Sequence, residues 1–362
     1  MKTSEKIWVI QPHTRAKHEI LKRYLGAWFP ILGKSSERIV YIDGFCGPGR
    51  YKGGEDGSPI IAIREALNHS ERLRDNKVSF LFIDENKDRI EHLTQTLNNW
   101  SVPENFNILM KTGSFAIELN ALLDDLEKRG QNLAPTFGFI DPFGFKGVPF
   151  RLVEKLLQNK KTEVFITIMV EYINRFLEHP DNATRNHIVE LFGTPMVLKI
   201  SQTSGNRVTK LRILYQEQLK TCAKFVRFFE MRDDRGKPIY YLFFATNHRL
   251  GHVKMKEAFW KVDPSSGITF SDSTNPNQLV LFDIDQTFGL SKDLMNKFGS
   301  SRQITSNVRM YVEDETPFTV SQMKNALNQL EEDGKITVEQ LKLDSTKRKK
   351  NTYPDTSIIR FS

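Results

Sequence analysis

Cysteine is nearly absent. Of 362 residues only Cys46 and Cys222 are cysteines. At most one bridge is possible, a disulfide framework is excluded, and no four-cysteine zinc site can be built. A reduced, cytoplasmic setting is the expectation. Long apolar runs are missing too: nothing approaches the roughly 18 residues that a membrane span needs, so no membrane is expected as a partner. The opening residues, MKTSEKIWVIQPHTRAKHEI, have no apolar core leading to a cleavage site and do not read as a signal peptide. The chain lacks H-E-x-x-H, a P-loop and G-x-S-x-G, which removes zincin, phosphate-cradling and nucleophile-elbow chemistry. No metal is expected, and no internal repeat or low-complexity tract is visible.

What the chain does have is charge of one sign in excess. There are 52 Lys and Arg against 44 Asp and Glu, a formal charge of +8. That balance favours a polyanionic partner, DNA or RNA. Hydrophobic content of 39% and charged content of 27% are those of an ordinary globular protein, long enough for two domains.

Strand and helix signals alternate through the first half. An amphipathic helix runs from about His13 to Trp28, with Ile20, Leu21, Tyr24, Leu25 and Trp28 on one face. Strands are predicted over residues 38–45, 78–84, 105–110, 136–141 and 163–169, with helices between them. Ser58-Pro59 reads as a helix start with a hydroxyl cap and proline at the first position. Such alternation predicts a parallel sheet covered on both faces, with ligands beyond the carboxyl ends of its strands. Residues 178–222 read as a helical insertion. Residues 225–231 and 239–246 read as an antiparallel pair closing the sheet, and 263–282 as loop or linker. From about Leu290 the pattern changes. A helix over 319–330 capped by Thr319, a short strand, the basic segment LDSTKRKKNTYPD and a last strand give the order of a winged helix. The domains are therefore expected at 1–285 and 286–362.

Four motifs fall at strand ends. The first is YIDGFCGPGRY, residues 41–51. It delivers Asp43 into a loop with glycines at 44, 47 and 49, where the backbone can turn tightly and approach a ligand. Dinucleotide loops want G-x-G-x-x-G; here Lys52 stands where the third glycine belongs. An acid before the loop suits a cationic sulfonium amino acid better than a phosphate, because a carboxylate at the strand end can hold its ammonium. Cys46 reads as a small apolar thiol of the loop, and Cys222 as a helix core residue. The second motif, Asp84-Glu85, could accept hydrogen bonds from both ribose hydroxyls, or cap the next helix. The third, around Gly113-Ser114, could contact an adenine ring or cap a helix. The fourth is Asp141-Pro142-Phe143-Gly144-Phe145. Methyl transfer to an exocyclic amine needs acceptors for the amine hydrogens; Asp141 and the Pro142 carbonyl supply two, and Phe143 or Phe145 could stack on a flipped base.

With these motifs placed, a resemblance can be stated. The chain resembles the three-Cys-motif partner (TcmP) family over most of its length, through AKHEILKRYL, YIDGFCGPGRYKGG, GSPIIAI, FLFIDENK, IDPFGFKGVP, YYLFFATNHRLGHVKMKEAFWKV and TPFTVSQMKNALNQLEEDGKITV. This implies a partner carrying a three-cysteine motif, itself similar to radical S-adenosylmethionine enzymes. More distantly, the N-terminal half is similar to bacterial large-subunit ribosomal RNA adenine-N6 methyltransferases. The shared features are Lys17-His18, Asp43 with Gly47, Gly49, Arg50 and Tyr51, and Gly57-Ser58-Pro59. Their Asp-Pro-Pro-Tyr corresponds to Asp141-Pro142-Phe143-Gly144, so the second proline is missing and the aromatic comes one place early. The resemblance implies an α/β, Rossmann-like class I methyltransferase sheet with S-adenosylmethionine as cofactor, plus a winged-helix-like domain. Lys17, Asp43, Gly44, Phe45, Gly47, Gly49, Asp84, Glu85 and Ser114 are the expected cofactor residues. Asp141, Pro142 and Phe143 are the expected target residues, and Lys347, Arg348, Lys349 and Lys350 the phosphate contacts of the wing. The expected activity is methylation of a nucleic acid, at a base amine. A non-catalytic nucleic-acid-binding adaptor for the three-Cys partner is the alternative, and a nicotinamide enzyme a weaker one.

Overall fold

The computed structural model describes residues 7–159, 161–274, 288–339 and 349–362. They form two compact units. One holds the chain to Ala258 together with Thr269–Thr274, and the other holds Phe259–Ile268 with the C-terminal residues. The expected boundary at 285/286 lies outside the described residues.

The first unit is built on one eight-stranded sheet: β1 (Arg38–Asp43), β2 (Lys77–Asp84), β3 (Phe106–Thr112), β4 (Thr136–Ile140), β5 (Thr162–Ile168), β6 (Phe225–Arg232), β7 (Pro238–Thr246) and β8 (Thr269–Ser271). The spatial order is β3-β2-β1-β4-β5-β7-β6-β8. Strands β1 to β5 are mutually parallel, and β7 runs antiparallel between β5 and β6. This is the Rossmann-like, parallel-dominated α/β sheet that the alternation predicted, with the expected antiparallel pair beyond β5. Strand β8 is a correction: the 263–282 stretch read as linker contributes a strand parallel to β6.

Both faces are buried, as crossover helices require. On one face Tyr41, Phe137 and Phe244 meet Tyr24 and Trp28 of the helix Pro12–Gly33. On the other, Ile42, Ile140, Val164 and Ile166 pack under Phe115, Leu119, Leu152 and Leu156 of the helices Phe115–Lys128 and Phe150–Gln158. The region after β5 is helical, over Val170–Phe176, Asn182–Phe192, Met196–Lys199 and Arg207–Lys220. Cys222 lies half-buried in the turn after the last of these helices, not in a helix core. Among the described residues no helix is long and apolar enough to cross a membrane.

The C-terminal unit has helices Phe288–Phe298, Thr305–Glu315 and Val320–Glu332 with strands β9 (Arg302–Ile304), β10 (Ile336–Glu339) and β11 (Ile358–Phe361) in the antiparallel order β10-β11-β9. Leu290, Leu294, Val308, Val312, Met323, Leu327 and Phe361 share its core. Thr319 caps the third helix in a full capping box with Gln322, and Gly334, at φ 68°, turns the chain into β10. The helix and strand order is that of a winged helix. Of the expected wing contacts, Lys349 and Lys350 are exposed, while Lys347 and Arg348 lie outside the described residues.

Candidate active site

Strand β1 lies between β2 and β4, so Asp43, Asp84 and Asp141, at or just beyond the carboxyl ends of these three neighbours, meet at one edge of the sheet. Asp43 is fully buried. Burial pushes its carboxyl up to about 7, against hydrogen bonds from the Ser58 hydroxyl and the Phe45 amide that favour the charged form; Asp141 and Asp84 add repulsion. The Phe45 N–H is 3.3 Å from Oδ1. Ser58 was expected as a helix cap. The structure corrects this: Gly57 is the N-cap, and Ser58 at the first helical position turns its hydroxyl to Asp43.

The glycines of the loop divide into two kinds. A Cβ at Gly44 would come 2.5 Å from the Phe115 ring, and one at Gly49 would come 2.6 Å from Leu93. Packing therefore requires glycine at both, and at Gly49 a φ of 81° requires it as well. Gly47 is different. Its φ is 63°, and a Cβ there would meet only the Trp8 ring, at 3.7 Å. The Gly47 amide donates to Asp84 Oδ2 at 3.0 Å, and the Asn86 amide donates to Oδ1 at 2.8 Å. Arg89 stands 3.6 Å from the same carboxylate. Asp84 therefore ties the glycine loop to β2, and Asn86 caps the following helix Lys87–Leu97. Glu85 is exposed. Phe45 packs its ring on Phe115. Ser114 is the N-cap residue of the helix Phe115–Lys128, although its side chain makes no capping bond.

Asp141, one residue past β4, is held by Lys17, whose ammonium donates to Oδ2. Lys17 is only 5% exposed, and its cationic head also lies 5.2 Å from the Tyr240 ring centre. Sequence reasoning set Lys17 among the cofactor residues; the structure pairs it with Asp141. His18, beside it, is buried and pushed down to about 3 by burial and then by Lys17, so its imidazole is neutral. Pro142 is buried. Phe143 is 63% exposed and meets Trp8 edge-on at 5.7 Å; Trp8 in turn meets Tyr51 at 5.9 Å, and Tyr51 meets His18 at 5.6 Å. Phe145, the other candidate for stacking, is a core residue against Tyr172 and Phe176. Gly144, with φ 109°, produces this split by reversing the chain between the two rings.

Three residues of this edge went unnoticed in the sequence: Trp8, Tyr240 and Ser58 in its actual role. Trp8 sits in an irregular segment whose carbonyl accepts the Lys52 amide at 2.9 Å. A lone tryptophan in a polar, basic N-terminal stretch was the available signal. Tyr240 lies on β7, and only the order of the strands brings it to Asp141.

Comparison with known proteins gives one family match. Residues 269–342 match the GMT-like wHTH domain, in agreement with the winged-helix order of the C-terminal unit. No curated protein matches the sequence. Among solved structures, human methyltransferase-like protein 13 in complex with S-adenosylhomocysteine aligns over 76% of this chain and 99% of its own, at 8% identity and TM-score 0.37. An O-methyltransferase from Bacillus cereus, also with S-adenosylhomocysteine, aligns over 62% and 80%, at 13% identity and TM-score 0.35.

Proposed function

We propose that the protein is an S-adenosylmethionine-dependent methyltransferase acting on a nucleic acid at a base amine, with a three-Cys-motif protein as partner. The observation that carries the reading is the convergence of Asp43, Asp84 and Asp141 beyond three adjacent strand ends, with Gly47 open beside them and Phe143 exposed. The fit of the cofactor rests on acceptor capacity. Asp43 is a buried carboxyl whose donors among the described residues are the neutral hydroxyls of Ser58 and Tyr41 and the Phe45 amide, and a cationic amino-acid group would supply the missing charge. Asp84 accepts one backbone amide at each oxygen, with Arg89 beside Oδ1, and its remaining lone pairs are the ones this reading gives to ribose hydroxyls. Gly47 leaves room beside the loop. This reading assigns Ser114, the N-cap residue of Phe115–Lys128, to the adenine side.

The cofactor supplies an electrophilic methyl group on a sulfonium. The chain's own residues handle the acceptor. Lys17 occupies Oδ2 of Asp141 and so fixes Oδ1 as the oxygen that accepts an N–H of the target amine. Drawing that hydrogen into the carboxylate's plane directs the nitrogen lone pair away from it. Phe143 and Trp8 form the aromatic wall against which a planar base is positioned. Lys17 is accordingly a positioning residue, acting through Asp141.

The deciding experiment is titration calorimetry of the whole protein with S-adenosylmethionine, S-adenosylhomocysteine and NAD, alongside Asp43→Ala. Micromolar binding of the first two, lost in the variant, is expected. Binding of NAD alone would overturn the reading. The adaptor alternative predicts cofactor binding with no methyl transferred to any RNA or DNA, with or without the partner. It draws on the altered Asp-Pro-Phe-Gly.

A further inference from the structure

The described residues of the C-terminal unit carry ten basic and ten acidic side chains. The exposed face of its third helix carries one charge of each sign and no net charge: Ser321, Lys324, Asn325, Gln329 and Glu332. The chain's excess of positive charge therefore falls mainly on the first unit. One place there gathers it. Between the helices Pro12–Gly33 and Ser58–Leu67 lies a hollow of about 550 Å³ lined by Lys22, Arg50, Asp56, Arg64, Glu65 and Trp100.

Its geometry is organised. The Asp56 carboxylate receives Arg64 Nε at 2.7 Å and faces Arg50 at 3.8 Å. Holding Arg64 by Nε leaves its terminal nitrogens free to reach outward, and its guanidinium lies 4.9 Å from the Trp100 ring centre. Arg50 Nε is buried without a hydrogen-bond partner. Lys22 is exposed. The second acid, Glu65, is shifted by burial toward its neutral form. Three cations thus share the hollow with two carboxyl groups, Asp56 and Glu65, beside an aromatic ring. The hollow also adjoins the candidate active site. The backbone of Asp56 bonds to the His18 ring, and Lys22 follows His18 by four residues, one helical turn of about 5.4 Å along the same face. Arg50 directly follows Gly49 of the cofactor loop.

We infer that this hollow is a second nucleic-acid subsite, in which Lys22, Arg50 and Arg64 hold the phosphodiester of a nucleotide flanking the target and Trp100 stacks on its base. The inference rests on the nucleic-acid reading given above. Charge-assisted guanidinium–phosphate bonds and an aromatic platform are the two parts that single-strand binding surfaces combine.

The test is fluorescence anisotropy of the full chain with labelled single-stranded RNA and DNA of mixed sequence, about twelve nucleotides long. Lys22→Gln/Arg64→Gln is expected to weaken binding about tenfold and to flatten the slope of log affinity against log salt by about 1.4, two single-strand phosphate contacts' worth. Trp100→Leu should weaken binding with the slope unchanged, because stacking releases no counterions. S-adenosylmethionine affinity, measured in parallel, should be the same in every variant. Wild-type affinity in both variants would overturn the subsite. Failure of the wild-type protein to bind either nucleic acid would also overturn it, yet would leave the cofactor reading standing if S-adenosylmethionine still binds.

Discussion

Lys17 and Asp141 stand 124 residues apart in the chain and form an ion pair at the edge of the sheet, with the lysine almost wholly buried. Removing one partner of such a pair strands the other charge. Asp141→Ala is expected to cost about 3 kcal/mol of stability, and Lys17→Met/Asp141→Leu, which removes both charges, should recover most of that loss. Urea denaturation of the three proteins decides the point. An Asp141→Ala protein as stable as wild type would show that the pair contributes nothing to the fold.

Because alanine at 141 perturbs stability, the catalytic role is better tested with Asp141→Asn. The amide keeps an oxygen but presents the wrong group to the target amine and to Lys17. Methyl transfer should fall by about 10² or more, within the range of a lost proton-handling side chain, while S-adenosylmethionine affinity stays close to wild type. Full activity in this variant would remove Asp141 from the mechanism.

Asp43 gives a pH dependence with a defined sign. Its carboxyl is pushed up to about 7 by burial, and the proposed pairing with an ammonium needs the charged form. S-adenosylmethionine affinity should therefore climb between pH 5.5 and 7, by close to tenfold per unit at the acid end, and Asp43→Asn should flatten the climb. Stability of the ligand-free protein runs the opposite way. A raised carboxyl contributes stability that is present below the unfolded value near 4 and is lost as pH rises through about 7. Calorimetry and thermal melts across this window check both. A wild-type affinity independent of pH would contradict the assignment.

Phe143 is 63% exposed, so Phe143→Ala should change stability by no more than about 0.5 kcal/mol. If the ring positions a base, KM for the nucleic-acid substrate should rise about tenfold, matching the 1–3 kcal/mol of a base–aromatic stack. Trp8→Ala should act in the same direction. An unchanged KM in both variants would leave the aromatic wall without a substrate role.

The sheet was legible because alternation of apolar runs and capped helices is a local property. The acids at strand ends were legible because a strand's last residue is where a chain leaves the sheet. Strand β8 and the helices Phe288–Phe298 and Thr305–Glu315 were not, since three residues of ladder or a helix of mixed polarity give no periodic signal. The site was legible in parts only. Asp43 and Asp141 announce themselves beside glycine and proline, but their partners Ser58 and Lys17 are named by tertiary packing. Gly44 and Gly49 look like ligand-approach glycines in sequence, and only the positions of Phe115 and Leu93 show that packing requires them. Phe143 and Phe145 are indistinguishable as letters; the backbone turn at Gly144 sends one outward and the other into the core.

The wing is the remaining candidate for phosphate contact. Lys349 and Lys350 are exposed, and with Lys347 and Arg348 they form the densest run of positive charge in the sequence. Without Lys349 and Lys350 the described C-terminal unit carries eight basic and ten acidic side chains, so any electrostatic affinity of that unit for nucleic acid should reside in these four side chains. Replacing all four with Gln should lower affinity and reduce the salt slope by about 3.6 on duplex DNA, or about 2.8 on a single strand. The size of the change also reports which form of nucleic acid the wing meets. Unchanged binding would mean that the winged helix serves something other than phosphate recognition, because its neutral third helix offers no comparable cluster to take over.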